Sequence, residues 1–458
     1  MEQQSKAYGV HVLALPYPSQ GHVNPMCQFC KRLVSKGTKA TLAITNYISK
    51  SNSPKSDTVA IDTFSDGYDE GGFAQAGDVD KYLERLEKAG SKTVAELIEK
   101  YQKSNHPIDC IVYDSFLPWA LDVAKEFGIL GACFFTQASA VNYVYYYVHH
   151  GLLTLPVSTL PVEIPGLPPL RLPDMPSFIY VYGSYPSYFQ MVLNQFLNVD
   201  KADLLLVNSY YKLEEKVNDA MEEVCPMLTI GPTVPSFYLD NRVENDDNYE
   251  LNLFELDVSS NCINWLDSKP AGSVVYIAFG SMASLSEKQM EEIAMGLKNS
   301  NFNFLWVAKA SDQEKLPKNF VKDDKGLFVT WSPQLKVLSN KALGCFFSHG
   351  GWNSTIEALS MAVPMVVMPQ WTDQTTNAKL VEDVWNVGLR VKVDENGIVG
   401  REEIEGCLRE VMEGEKGKEM KKSASKWKDL AKEAVSEGGT SDTNINDFIS
   451  KLNKKTQG

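Results

Sequence analysis

Positive charge is scarce in this chain. Lysine and arginine number 44 against 58 aspartates and glutamates, a net charge of −14. That balance excludes partners held by a broad positive field, such as nucleic acid or an anionic membrane surface. An anionic ligand must then be gripped by local dipoles. The opening MEQQSKAYG has no basic segment followed by an apolar one, so no secretory signal is expected. A long hydrophobic run is also missing. The most apolar window, Gly128 to Val148, carries Thr136, Gln137, Ser139, Asn142 and four tyrosines, whereas a membrane span needs ~20 predominantly apolar residues. It reads instead as a short strand, GACFFT, followed by a helix. The eight cysteines are scattered, and Cys27-x-x-Cys30 has no second ligand pair nearby. A reduced, cytoplasmic, metal-free chain is expected. Gly-x-Ser-x-Gly is absent, which argues against a serine hydrolase. No Gly-x-Gly-x-x-Gly follows a leading strand, which argues against a nicotinamide oxidoreductase.

What is present is ordinary globular composition, 44% hydrophobic and 22% charged over 458 residues, enough for two or three domains. Val10 to Pro16, a turn, a helical pattern from Val23 to Ser35 and the run Thr38 to Thr45 form a β-α-β unit. Further strand-like runs at Val59 to Phe64, Ile108 to Tyr113, Gly131 to Thr136 and Ala202 to Asn208 make residues 1–235 one doubly wound α/β domain. The proline-rich segment Leu155 to Pro176 reads as an irregular excursion. Residues 236–260, polar and acidic, are the expected linker. Runs at Ser273 to Phe279, Asn303 to Ala308, Gly326 to Thr330, Gly344 to Ser348, Pro364 to Met368 and Gly388 to Val393 predict a second Rossmann-like domain over 261–439. The sequence then ends in a Lys/Glu-rich helical pattern.

The stretch Trp331 to Gln374 concentrates the chemistry. His349, Gly350, Gly351, Asn353 and Ser354 lie between a buried strand and a helix, where free N–H groups attract anions. The glycines admit phosphate oxygens close to the backbone, and the three side chains add donors. Glu357, four residues after Asn353, shares its helix face roughly 6 Å further along; its carboxylate suits a ribose diol. Trp331 offers a flat face to a base. Trp371, Asp373 and Gln374 suit a carbohydrate. Near the start, His22 and Asp114 each follow a strand-like run. A carboxylate on one imidazole nitrogen fixes the tautomer and leaves the other as a base.

These motifs, W-x-P-Q, H-x-G-W-N-S, the following Glu and the closing D-Q, with P-S-Q-G-H-V-N-P at Pro18 to Pro25 and F-G-S at Phe279 to Ser281, closely resemble those of the plant UDP-dependent glycosyltransferases of secondary metabolism. The resemblance spans nearly the whole chain. It implies the GT-B fold, two Rossmann-like domains facing across a cleft, with the last helix (about 440–458) returning to the first domain. It also implies inverting transfer with His22 as base and Asp114 as its partner. UDP-glucose is then a co-substrate and no cofactor is needed; no Asp-x-Asp motif, and so no metal, is expected. Donor contacts are implied at Gly21, Thr136, Ser281, Trp331, Ser332, Gln334, His349, Trp352, Asn353, Ser354, Glu357, Asp373 and Gln374. Uracil would stack on Trp331, with backbone bonds at Ser332, and Gln334 would join Glu357 at the ribose. Thr136, Trp352, Asp373 and Gln374 would hold the hexose, and Gln374 at that position goes with glucose. The acceptor, a small hydrophobic metabolite offering a hydroxyl or carboxyl, is expected against Phe116, Tyr143, Tyr146, Met191, Trp371 and the loop Ser65 to Phe73. SDGYDEGG and FFTQ resemble the clade of salicylate, thiohydroximate and triterpenoid glucosyltransferases. A monomer is expected. The alternative is a non-catalytic sugar-nucleotide-binding protein. Three positions depart from the family's usual box: Asn340, Gly350 and Ala362, the last straining its turn if φ there is positive.

Overall fold

The computed structural model describes residues 9–52, 56, 58–249, 251, 261–280, 285–317, 320 and 325–456. The first lobe is built on β1 (His11–Leu15), β2 (Lys39–Thr45), β3 (Ala60–Phe64), β4 (Cys110–Asp114), β5 (Leu130–Phe135), β6 (Leu204–Val207) and β7 (Leu228–Thr229). All neighbours pair in parallel, in the order 3-2-1-4-5-6-7. The second lobe contains β8 (Val274–Ala278), β9 (Asn303–Val307), β10 (Gly326–Val329), β11 (Leu343–Ser348), β12 (Met365–Val367) and β13 (Gly388–Arg390). These are likewise parallel, in the order 10-9-8-11-12-13. Helices cover both faces of a parallel sheet, so the central strands are apolar throughout; β1, β4 and β8 are buried at every position.

Each sheet has a switch point where the strand order reverses, and ligands bind beyond the carboxyl ends of strands there. In the first sheet it falls between β1, which leads into the helix bearing His22, and β4, which ends in Asp114. In the second it falls between β8 and β11, which lead into Gly280 and His349.

The helix Gln20–Ser35 contains Pro25. Proline has no N–H to donate, so the carbonyl four residues back, that of Gly21, loses its intrahelical partner. The proline-rich excursion is irregular, with one isolated antiparallel bridge between Val162 and Leu170. It ends against the second lobe, where Arg390 donates to the fully buried Asp174 at 2.9 Å.

The helix Thr440–Thr456 crosses back to the first lobe. Its Ile445, Phe448 and Leu452 share a core with Val12, Phe29 and Leu42, and Phe448 packs its ring 5.6 Å from Phe29. Ser441 and Asn444 donate to the carbonyls of Gly231 and Thr229 at 2.6 and 2.9 Å. Among the described residues no helix is long and apolar enough to cross a membrane.

Candidate functional site

The imidazole of His22 is held where β1 runs into its helix. Its Nδ1 lies 2.7 Å from Oδ2 of Asp114, the last residue of β4, whose side chain is fully buried. A carboxylate can only accept, so the proton sits on Nδ1 and Nε2 keeps its lone pair. The other Asp114 oxygen accepts the Phe116 N–H at 3.0 Å, which locks the carboxylate's plane. Nε2 has no hydrogen-bond partner among the described residues, and the ring remains 16% exposed. Thr136, expected at the hexose, has its hydroxyl 3.1 Å from His22 Nδ1 and so belongs to this cluster. Phe116 and Tyr17 wall the imidazole, with ring centroids 5.0 and 5.3 Å away.

Across the cleft, the first intrahelical bond of Trp352–Met361 runs from Thr355 N to Gly351 O. The amides of residues 352–354 are therefore free of the helix. The buried Asp373 carboxylate takes that of Trp352, leaving those of Asn353 and Ser354 for an anion. His349 stands beside them, with Gly280 and Gly351 flanking it. A β-carbon would lie 3.0 Å from its Nε2 at position 280, a tight contact, and 2.6 Å at position 351, where the imidazole would have to shift. Burial lowers its pKa to about 4, against the opposing effect of a bond to the Ala278 carbonyl. At neutral pH it is an uncharged ring, not a fixed positive charge.

Next to this anion site opens a cavity of about 590 Å³ lined by Trp331, Tyr276, Gln334, Asn353, Ser354 and Glu357, with Gln20 and Gly21 from the first lobe. Glu357 accepts Gln334 Nε2 on Oε2 and the Tyr249 hydroxyl on Oε1, both at 2.7 Å. Burial pushes its pKa up, and these two bonds oppose the rise. Gln334 also donates to Ser354 Oγ at 3.1 Å. The Ser332 hydroxyl is 2.9 Å from that of Tyr276, which leaves its backbone for a ligand.

Several expected contacts need correcting. Trp352 is buried, and its indole donates to the Asn208 carbonyl of the first lobe at 2.7 Å; it joins the lobes and its side chain is not free for a sugar. The side-chain amide of Asn353 spends one of its two N–H groups on the Gly21 carbonyl at 2.7 Å. The hydroxyls of Tyr143 and Tyr146 are committed, donating to the carbonyls of Ala220 and Val224 at 3.4 and 3.3 Å. Met191 is buried on the helix Pro186–Asn194, and no ring or polar contact connects it to His22. The loop Ser65 to Phe73 folds on itself, with Asp66 buried against Tyr82. An Asp-x-Asp does occur, Asp78-Val79-Asp80, but both acids are exposed and Asp78 caps the helix Val79–Gln102. Ser281 lies outside the described residues.

Asp373 and Gln374 sit together at the start of Gln374–Lys379. Gln374 Oε1 accepts the Gln370 and Trp371 amides at 2.7 and 3.1 Å, which fixes the loop and turns Nε2 into the free donor. Trp371 itself is packed by Phe178, Tyr185 and Tyr188 of the first lobe, with centroids 5.4–5.9 Å away. Sequence reasoning missed these three rings. It also missed Tyr249, whose surroundings read as linker.

Over 452 residues, 97% of this chain and 99% of the relative, the sequence is 57% identical to UDP-glycosyltransferase 74F2 of Arabidopsis thaliana. The chain belongs to the plant UDP-glycosyltransferases. It is 56% identical to flavonol 7-O-beta-glucosyltransferase UGT74F1 of the same plant, with the same coverage. The UDP-glucoronosyl and UDP-glucosyl transferase family model matches residues 255–430. The crystal structure of Os79 from O. sativa in complex with UDP superposes with a TM-score of 0.92 at 40% identity, covering 96% of this chain and 100% of that one. The two facing parallel sheets are thus the GT-B fold of these glycosyltransferases, and the chain is an enzyme that uses a UDP-sugar donor. The non-catalytic alternative loses its footing.

Proposed function

We propose that this glycosyltransferase moves glucose from UDP-glucose to a hydroxyl or carboxyl of a small hydrophobic plant metabolite, with inversion at the anomeric carbon. The carrying observation is the His22–Asp114 pair at 2.7 Å with Nε2 uncommitted. In this reading Nε2 accepts the acceptor's proton as its oxygen bonds to the anomeric carbon, the glycosidic C–O bond to UDP breaks on the opposite face, and Asp114 stabilises the imidazolium. The transition state has oxocarbenium character, as in glycoside hydrolysis. Leaving-group charge falls on the Asn353 and Ser354 amides and on His349, so the chain's own groups supply the counter-dipole. Trp331 stacks the base and Glu357 takes the ribose. Asp373 and the Gln374 amide take the hexose.

The acceptor meets Tyr17 and Phe116 beside His22 and the aromatic group around Trp371, which favours a flat apolar body. The similarity to a flavonol 7-O-beta-glucosyltransferase supports a phenolic acceptor. The same proposal includes an acceptor-binding lobe at 1–235 completed by the last helix, a donor-binding lobe at 261–439, a monomer, and a cytoplasmic location. Incubation with UDP-[¹⁴C]glucose and a pooled extract of hydrophobic metabolites, with products identified by mass spectrometry, tests it. Labelled glucosides or glucose esters are expected; donor binding without labelled product would refute the reading.

A further inference from the structure

The segment between the lobes is fastened to the first. Lys31, buried on the helix Gln20–Ser35, donates to Asp246 Oδ1 at 2.8 Å and to the Asn248 carbonyl at 3.0 Å. Gln28 adds a bond to the same carbonyl, and Gln20 holds that of Leu251 at 2.8 Å. Asp246 also accepts the Ser236 N–H at 2.6 Å. Between these anchors Tyr249 reaches across to the second lobe, where its hydroxyl meets Glu357 Oε1 at 2.7 Å in the wall of the nucleotide cavity.

We propose that Tyr249 is a positioning residue for the donor, its phenol holding the Glu357 carboxylate in the plane that receives the two ribose hydroxyls. The inference rests on the reading of Glu357 as the ribose ligand. A carboxylate has about four lone-pair positions. The phenol fills one on Oε1 and the Gln334 amide fills one on Oε2. One position remains on each oxygen, which matches two adjacent hydroxyls. Two donors from different elements also prevent the carboxylate from rotating, so less order has to be imposed when the nucleotide arrives. Because the tyrosine is tethered to the helix that begins beside His22, the ribose is set relative to the base and not only to its own lobe.

The test is a cycle of two enzymes and two donors. Tyr249→Phe keeps the ring and the packing, and a thermal melt controls for folding. UDP-glucose is compared with its 2′,3′-dideoxy analogue. In the parent, losing the ribose hydroxyls should raise KM strongly. Tyr249→Phe should raise KM for UDP-glucose about ten-fold, the effect of roughly 1.4 kcal/mol, with little change in kcat. Its penalty should vanish with the dideoxy donor. Calorimetric titration with UDP and 2′,3′-dideoxy-UDP reads the same ratio without turnover. An equal penalty on both donors would reduce Tyr249 to a structural contact and overturn the proposal. No penalty, or a lower KM in the variant, would overturn it too, the latter by making the phenol a competitor of the ribose. A parent indifferent to the missing hydroxyls would instead bring down the ribose reading of Glu357.

Discussion

The side-chain amide of Asn353 donates to the carbonyl of Gly21 at 2.7 Å, and that carbonyl is available because residue 25 is proline. A helical residue at 25 with an N–H would claim it. The start of the helix Trp352–Met361 therefore rests on the residue preceding His22. Pro25→Ala should restore the intrahelical bond and raise stability by about 1–3 kcal/mol, while weakening the join between lobes and lowering kcat/KM. Denaturant melts and steady-state kinetics on the same preparation check this; activity and stability rising together would contradict it.

His22→Ala should cut turnover of a hydroxyl acceptor by about 10²–10⁴-fold, the usual value of general base help. A carboxylic acid, with a pKa near ~4, is already ionised at pH 7, so ester formation should suffer less. Asp114→Asn should impair the hydroxyl reaction in the same sense by releasing the tautomer. Parallel assays on a phenol and an aromatic acid decide the matter. Equal turnover by mutant and parent on the phenol would end the base assignment.

His349 titrates at about 4 when no donor is present, because burial opposes its charge. A diphosphate placed beside it favours the imidazolium and raises that value. Between about 4 and the raised value the complex holds more protons than the free enzyme, so binding takes up a proton and tightens as pH falls through that window. UDP-glucose suits the measurement because its diphosphate is fully ionised near neutrality. Calorimetry in buffers of different ionisation enthalpy should report net uptake; His349→Gln should abolish it.

Ala362 ends the helix Trp352–Met361 with φ 62° and ψ 36°. A β-carbon in this left-handed region costs about 1–2 kcal/mol, partly offset by the freedom that glycine brings to the unfolded chain. Ala362→Gly should therefore stabilise the protein by about 0.5–1 kcal/mol. Thermal melts test it directly. Of the other unusual residues, Asn340 ties Asp267 at 2.8 Å and caps the Ala342 amide at 2.9 Å. Gly350 adopts φ 80°, with Val367 filling the space of a side chain.

Strands were legible wherever burial on both faces left an unbroken apolar run, as in Ser273 to Phe279 and its observed core Val274–Ala278. The strand Leu228–Thr229 escaped because two residues make no pattern. The site was legible where one element end carries its own donors, as at His349 to Ser354. It was illegible where a role depends on the opposite lobe. Trp352 was implied at the hexose by resemblance alone, and only the structure shows its indole on the Asn208 carbonyl of the first lobe. Tyr249 stood in an acidic stretch with no period, and its importance comes from a carboxylate more than a hundred positions away. For Tyr143 and Tyr146 an aromatic run did not reveal that their hydroxyls bond to the carbonyls of Ala220 and Val224.

The closing helix Thr440–Thr456 supplies one wall of the core that begins at Val10. During synthesis the leading lobe emerges first yet waits for the 17 residues of that helix before this side of its hydrophobic interior is covered. At about 5–20 residues per second, that interior stays uncovered for tens of seconds while the trailing lobe is made. Until that helix arrives, the apolar faces of Val12, Phe29 and Leu42 that it covers are open to water.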